Sequence, residues 1–515
     1  MGKSGGILLR GGTLIDGTGA PARRADVLVA GSRIAAVGGC GEAADGEVLE
    51  ATGLAVAPGF HDIHTHFDLS LAAEPVHLDG LCQGITTYHI GQCGLGFAPA
   101  SPGTQAVFRD YLAGIAGDPE LPPFHTVADY LALVQGGAAN VVAILPHGLL
   151  RAEVAGMSRG PLTTPQLDRM RRLAAEGMAE GARGFSTGLT YFPGSEADLA
   201  ELVALAEVVA AHGGVYVTHL RNYTDHFLDA IDEACEIGRR AGLPVQISHL
   251  RPQGRYRNRA ADVLAHIEAW RARGVDVAFD MYTYLKGYTL MSSLFLAPEV
   301  YAGGVEAALA LLRDPAERHR LRDAACGRGV SAPRPEWAEV HIASVWGEGN
   351  KRFEGLRLPS FAEAVGKDIF DACMDLLVEE RLRVGVVGWP IEESDLQAVL
   401  RHPLCLVGSD SIPMGGARHP RASGCFARYL GHYVRDLGLL PLEEAIRRIT
   451  SVPARRYGLD GRGVIAEGMA ADLVVFDPAA IRDRATYEQP RLLAEGVRHV
   501  LVNGKLVLRD GALFR

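Results

Sequence analysis

The chain carries side chains able to hold a divalent cation at the ends of several apolar runs. The densest stretch is Gly59-Phe60-His61-Asp62-Ile63-His64-Thr65-His66-Phe67-Asp68, placed just after the apolar run Leu54 to Ala57 and the break Pro58-Gly59. Side chains two apart on an extended strand point the same way, so His64 and His66 present two imidazoles to one cation. Taken alone, such a pair is equally well explained by one strand-capping and one surface imidazole. Later stretches shift that balance. One strand runs Ile85-Thr86-Thr87-Tyr88-His89-Ile90-Gly91-Gln92 into Cys93, and others end Val217-Thr218-His219, Ile247-Ser248-His249 and Val407-Gly408-Ser409-Asp410. Imidazole, thiolate and carboxylate are the groups zinc takes. Singly, a strand-end His often bonds a carbonyl and a free Cys is often buried filler. Together His64, His66, Cys93, His219, His249 and Asp410 predict one or two zinc ions and metal-assisted chemistry.

Those residues need a frame that brings strand ends to one face. The middle of the chain alternates buried-looking strands with helical periodicity, the pattern of a parallel sheet with crossover helices. Strands are expected at Val56–Ile63, Ile85–Ile90, Val141–Leu145, Gly184–Ser186, Val215–His219, Val245–His249, Val275–Tyr282 and Leu404–Ser409. Helices are expected at Thr164–Glu180, Glu196–His212, Phe227–Ala241 and Ala260–Arg273. Eight such units fit a (β/α)₈ TIM-like barrel, whose reactive groups gather at the C-terminal ends of the strands. Both ends of the chain read instead as short alternating strands, with Asn503-Gly504 as a hairpin turn. Residues 1–58 and 460–515 are therefore expected to build one small β-sandwich, and 59–459 the catalytic barrel. Insertions are expected at 99–123 and at about 286–359.

Composition sets outer bounds. At 515 residues, 48% hydrophobic and 22% charged, the chain is long enough for a large domain and a smaller one. A net charge of −10 gives no basic surplus for nucleic acid. The eight cysteines show no CxxC and no paired spacing, as expected of reduced thiols in a cytoplasmic protein. No apolar run reaches the ~18 residues of a membrane span, and residues 1–12 lack a charged-then-apolar signal arrangement. Composition leaves the oligomeric state open.

With these residues in place, the chain resembles the amidohydrolase superfamily: His-x-His on strand one, single His at strands five and six, Asp on strand eight. The stretches Ile85-Thr86-Thr87 to Gln92-Cys93-Gly94, Gly184-Phe185-Ser186-Thr187-Gly188 to Gly194, Thr218-His219-Leu220-Arg221, Ser248-His249-Leu250 and His419-Pro420-Arg421 resemble the N-acyl-D-amino-acid deacylase (D-aminoacylase) family, over almost the whole chain. The resemblance implies a metal-dependent barrel flanked by a β-sandwich. It implies a tight site of Cys93, His219 and His249 and a weaker one of His64, His66 and Asp410. Strand four ends without the lysine that bridges two metals in hydantoinase-like relatives, and the Cys93 thiolate can supply the missing anionic bridge instead. Bound zinc acidifies water towards ~7 and polarises the scissile carbonyl. Asp410 is placed to take the proton from that water and pass it to the leaving amine.

For a small-molecule N-acyl substrate the resemblance assigns Arg251, where lysine is usual, to the substrate carboxylate. It assigns Tyr191, Tyr282 and Tyr284 to the pocket lining and Arg421 to the substrate side chain; a barrel-rim ion pair explains Arg421 equally well. The second arginine clamp that such enzymes often carry after strand seven is absent from Gly287 to Pro298, leaving Lys286 as a substitute. Deacylation of an N-acyl-D-amino acid is the leading expectation. The missing clamp keeps open a second one, hydrolysis of another amide, a cyclic imide or a small peptide without a free α-carboxylate. A barrel that binds without catalysis has no reason to keep Asp410 beside a complete ligand set.

Overall fold

The structure, a computed structural model, describes residues 6–40, 46–74, 76–327 and 334–514, with backbone alone for 325–327 and 334–336. Residues 1–5 of the N-terminal reading, the Cys326 thiol and residues 328–333 of the insertion lie outside the described residues. The seven described cysteines are all free thiols. Among the described residues no helix is long and apolar enough to cross a membrane.

The barrel strands are β1 (Phe60–Asp62), β2 (Ile85–Ile90), β3 (Asn140–Ala143, continuing as Leu145–Pro146), β4 (Gly184–Gly188), β5 (Val215–His219), β6 (Val245–Ile247), β7 (Val277–Met281) and β8 (Cys405–Val407). Neighbours pair in parallel, β1 with β2 and β2 with β3, then β3 through β4, β5, β6 and β7 to β8. The ring closes where Thr65 bridges Ser411 in parallel and Asp410 N–H donates to His64 O at 2.7 Å. The fold is thus the expected barrel. Its strands are buried throughout because helices cover the outside, which is why they read as apolar runs. The crossover helices lie at Thr164–Ala179, Leu199–Ala211, Phe227–Ala241 and Ala260–Ala272, within a few residues of expectation. Asp198 caps the second of them by accepting from Glu201 N–H, which sets its start later than the apolar pattern suggests.

Strand one differs from expectation. Val56–Ile63 is not continuous: Ala55–Pro58 pairs with Leu473–Phe476 in a separate sheet, and the chain enters the barrel only at Phe60. Pro58 has no N–H to continue a ladder, and a Cβ at Gly59 would lie 2.1 Å from the Thr86 hydroxyl. Among the described residues that separate sheet has nine strands, drawn from both ends of the chain. Its core packs Leu9, Val27, Val56, Leu473 and Leu501. Asn503 and Gly504 both have positive φ, 48° and 76°, as the two-residue turn between Val497–Val502 and Lys505–Arg509 requires.

Two additions roof the barrel mouth. The helix Pro102–Ala116 lies after β2. After β7 comes a three-stranded antiparallel sheet in the order Gly287–Leu290, Gly385–Gly388, His341–Ser344. Its central strand lies beyond residue 359, so this addition runs further than the Gly/Pro bias of the sequence suggests. Tyr288 joins the two additions by donating to Gly114 O at 3.2 Å.

Candidate active site

The six expected ligand residues meet at the barrel mouth. Cys93 Sγ lies 3.4 Å from His64 Nε2 and 3.8 Å from His249 Nε2. Asp410 Oδ1 lies 3.5 Å from His64 Nε2 and 3.3 Å from His66 Nε2. Two buried sets therefore gather within 4.8 Å: His64, Cys93 and His249, and His64, His66 and Asp410. The second is the set expected. In the first, His64 stands where His219 was expected. His219 reaches it through His249, its Nδ1 lying 3.0 Å from His249 Nε2, while its Nε2 meets Thr190 Oγ1 at 2.9 Å.

Backbone conformation marks the same residues. Cys93, His249 and Asp410 have φ of 55°, 33° and 52°, in the left-handed region that non-glycine residues rarely adopt. Each stands just past the end of its strand, where a left-handed residue turns the side chain inward at a cost of about 1–3 kcal/mol. Strain gathered on residues that share one donor cluster is a mark of function rather than of packing. Gly188 fits this arrangement: a Cβ there would lie 1.9 Å from Cys93 O, so the Cys93 turn occupies the place where a strand-four side chain would otherwise stand.

A second layer fixes the donors. Asp280 Oδ1 accepts from His249 N–H at 2.8 Å and lies 3.3 Å from His64 Nδ1. A proton held on Nδ1 leaves the His64 Nε2 lone pair facing Cys93 and Asp410. Asp62 Oδ1 accepts from Ser409 N–H at 2.7 Å and its Oδ2 from Ser409 Oγ, which registers the end of β1 against that of β8. Burial pushes the Asp62 carboxyl up to about 7. Sequence reasoning passed over Asp280, although one carboxylate inside the apolar run Val277-Ala278-Phe279-Asp280-Met281 was the available sign.

Charge balance suits a cation. Burial raises the Cys93 thiol, yet His64, His219 and His249 overcome it and hold the thiol well below its ordinary value. Burial likewise opposes ionisation of Asp410, but Arg421, His64 and His66 pull its carboxyl well below the usual range. His66, against its own burial, is raised to about 9 by Asp410 and Cys93. Thiolate and carboxylate thus share protons with imidazoles, and a divalent cation would compete for those same donor atoms. Sulfur, nitrogen and oxygen donors in this mix fit zinc.

A cavity of about 280 Å³ opens onto the cluster and includes His66, Cys93, His219, His249 and Asp410 in its wall. Arg251 lines it, as do Tyr191 and Tyr282. Arg251 is 3% exposed; it donates to Tyr282 Oη, and to Leu285 O and Trp389 O at 2.9 Å each. Its Nε has no partner, and among the described residues no carboxylate pairs with it. The other expected substrate residues lie elsewhere. Tyr284 donates to Asp483 at 2.9 Å, away from the cavity, because β7 ends at Met281 and the two-residue periodicity that would align it with Tyr282 ends there too. Lys286 sets its ammonium 4.9 Å from the centre of the Tyr487 ring. Arg421 is wholly buried behind the cavity, with Nη1 2.8 Å from Asp410 Oδ2 and its guanidinium 4.5 Å over Tyr282. The ion pair is the part of that expectation that the geometry supports. Wall residues not anticipated include Arg221, Tyr223, Tyr288 and Trp389.

Comparison with known proteins decides the family. The sequence profile of the amidohydrolase family matches residues 47–332 and 360–508. The chain belongs to the amidohydrolase family. Among its relatives, a D-aminoacylase of Alcaligenes xylosoxydans xylosoxydans is 36% identical, over 98% of this chain and 95% of its own. An N-acyl-D-glutamate deacylase of the same organism is 37% identical, over 97% and 92%. The crystal structure of N-acyl-D-glutamate deacylase from Bordetella bronchiseptica, complexed with zinc and a phosphonate mimic of the tetrahedral intermediate, superposes with a TM-score of 0.82 at 34% identity, covering 98% of both chains. The D-aminoacylase and the N-acyl-D-glutamate deacylase are about equally similar to this chain, so identity alone does not choose between them.

Proposed function

We propose that this amidohydrolase removes the acyl group from N-acyl-D-amino acids with zinc as its metal, and that His64, His66, Cys93, His219, His249 and Asp410 hold one or two ions. The observation that carries the substrate assignment is Arg251: a buried guanidinium beside the donor cluster which, among the described residues, is hydrogen-bonded only to neutral acceptors and has no counter-ion. A substrate α-carboxylate supplies that counter-ion. Amides and cyclic imides without a carboxylate leave it uncompensated, which weighs against them. The preference for the D-enantiomer rests on the activities of the relatives.

When bound, zinc supplies a Lewis acid that polarises the scissile carbonyl and makes water a nucleophile near neutral pH. Arg251 and Tyr282 orient the substrate through its carboxylate. Asp410, kept ionised by Arg421 and placed at the cavity wall, takes a proton from the attacking water and delivers it to the departing nitrogen. Arg421 acts through Asp410 as a positioning residue, since it does not reach the cavity. Asp280 holds His64 and His249 in place. The test is release of free amino acid from N-acetyl-D- and N-acetyl-L-amino acids by the zinc-loaded protein. Release from the D series is expected; zinc-loaded protein releasing amino acid from neither series refutes the proposal.

A further inference from the structure

Among the described residues the cavity wall has one guanidinium without a counter-ion, not two, and that limits what the substrate carries besides its α-carboxylate. Among the described residues, Arg251 and Arg221 are the guanidiniums on the cavity wall. Arg221 is already committed. Its Nε donates to Glu233 Oε2 at 3.0 Å and its Nη2 to Glu233 Oε1 at 2.9 Å, a two-point ion pair. The remaining donors serve Ser195 O at 3.0 Å and Ala197 O at 2.9 Å. Glu233 projects from the helix Phe227–Ala241, outside the cavity wall, and so neutralises Arg221 from behind. Arg421 is ion-paired with Asp410 at 2.8 Å, though its guanidinium nitrogens make no geometrically sound hydrogen bond, and it does not line the wall; Lys286 lies against Tyr487.

Much of the remaining wall is apolar or aromatic, its polar members such as Asn222, Gln253 and Thr289 are uncharged, and several of its phenols are engaged with the protein. Ile115, Phe192 and Leu296 present aliphatic and aromatic surface. Tyr288 bonds to Gly114 O at 3.2 Å and Ser344 Oγ at 2.9 Å, and Tyr301 donates to Ser292 Oγ at 2.7 Å. Tyr223 donates to Ser248 O at 3.2 Å. These rings offer faces rather than donors. An apolar group entering here loses water favourably; a second carboxylate would lose its water without a free cationic partner among the described residues.

Resting on the N-acyl-D-amino-acid reading, we propose that the enzyme is specific for monocarboxylic substrates with an apolar side chain, and that Glu233 determines this specificity by neutralising Arg221. Zinc-loaded enzyme is assayed with the N-acetyl derivatives of D-leucine, D-phenylalanine, D-glutamate and D-aspartate. kcat/KM for the apolar pair is expected to exceed that for the acidic pair by about 100-fold or more. In Glu233→Gln, which releases the Arg221 charge, the glutamate-to-leucine ratio is expected to rise about 10-fold. Ile115→Ala provides a second route if Glu233→Gln does not fold: it is expected to lower kcat/KM for the D-leucine substrate more than for the D-alanine one. A wild-type enzyme that handles D-glutamate within about 3-fold of D-leucine, or ratios unmoved in both variants, overturns the proposal. If the zinc-loaded enzyme hydrolyses none of them, calorimetric binding of the same ligands decides. Tighter binding of the D-leucine ligand then upholds the specificity while the hydrolytic reading fails, and equal or tighter binding of the D-glutamate ligand overturns it.

Discussion

Replacing Arg251 with methionine keeps most of the aliphatic stem and removes the charge. Because Arg251 is only 3% exposed and, among the described residues, has no carboxylate partner, its pairing with a substrate carboxylate is made in a largely desolvated place. Removing one partner of such a pair costs on the order of 3 kcal/mol, or about 150-fold in kcat/KM. The substitution also leaves Leu285 O and Trp389 O without their donor, so a fall in activity alone would not separate recognition from damage. Comparing N-acetyl-D-leucine with its uncharged amide, N-acetyl-D-leucinamide, makes that separation. Wild-type enzyme is expected to favour the carboxylate by about 100-fold, and Arg251→Met to bring the two substrates within about 3-fold of each other. Zinc content, measured alongside, is expected to stay at the wild-type level. A carboxylate preference that survives the substitution refutes the role given to Arg251 and revives substrates without a free carboxylate.

Other perturbations test the layers around the metal. Asp410→Asn, which keeps the shape but not the base, is expected to lower kcat by about 10³-fold while the protein retains zinc on the Cys93 side; a loss under 10-fold in kcat speaks against proton transfer by Asp410. Asp280→Asn is expected to weaken zinc affinity by about 10- to 100-fold in a chelator competition, because His64 and His249 lose their shared anchor. The buried His61 is pushed down to about 3 by burial and Arg462, so it stays neutral in the folded state while an unfolded histidine protonates near 6.5. Below pH 6.5 the unfolded chain binds the extra proton, and folding stability from this group falls as pH falls towards 3. The stability gap between wild type and His61→Gln, read from urea midpoints, is therefore expected to move in the variant's favour by about 1.4 kcal/mol per pH unit below 6.5; a gap independent of pH contradicts the buried neutral state.

Much of this arrangement was legible because two periodicities carry it. Apolar runs ended by His, Cys or Asp located the barrel strands and their reactive ends, and a barrel brings those ends together whatever the loops do. His64 and His66 both reach Asp410 although β1 stops at Asp62. The resemblance places Tyr282 and Tyr284 together on the pocket lining, but the chain leaves β7 after Met281 and the two rings diverge toward Arg251 and Asp483. Left-handed φ at Cys93, His249 and Asp410 has no signature in residue type, because none of them is a glycine. Pairings across long separations were also hidden. Asp280 with His64, 216 residues apart, forms only once the barrel closes, while Arg421 with Asp410 and Arg221 with Glu233 each join a strand-end loop to the following helix. The split of strand one shows a proline and a glycine acting as a hinge between two sheets, where the apolar pattern alone reads as one strand.

The most direct test of the account is the zinc content of dialysed protein, compared between wild type and Cys93→Ala. Wild type is expected to keep about one zinc per chain and to release D-leucine from N-acetyl-D-leucine; Cys93→Ala is expected to lose both the metal and the activity. A Cys93→Ala protein that retains its zinc and hydrolyses that substrate at the wild-type rate would contradict a thiolate-anchored metal at the barrel mouth.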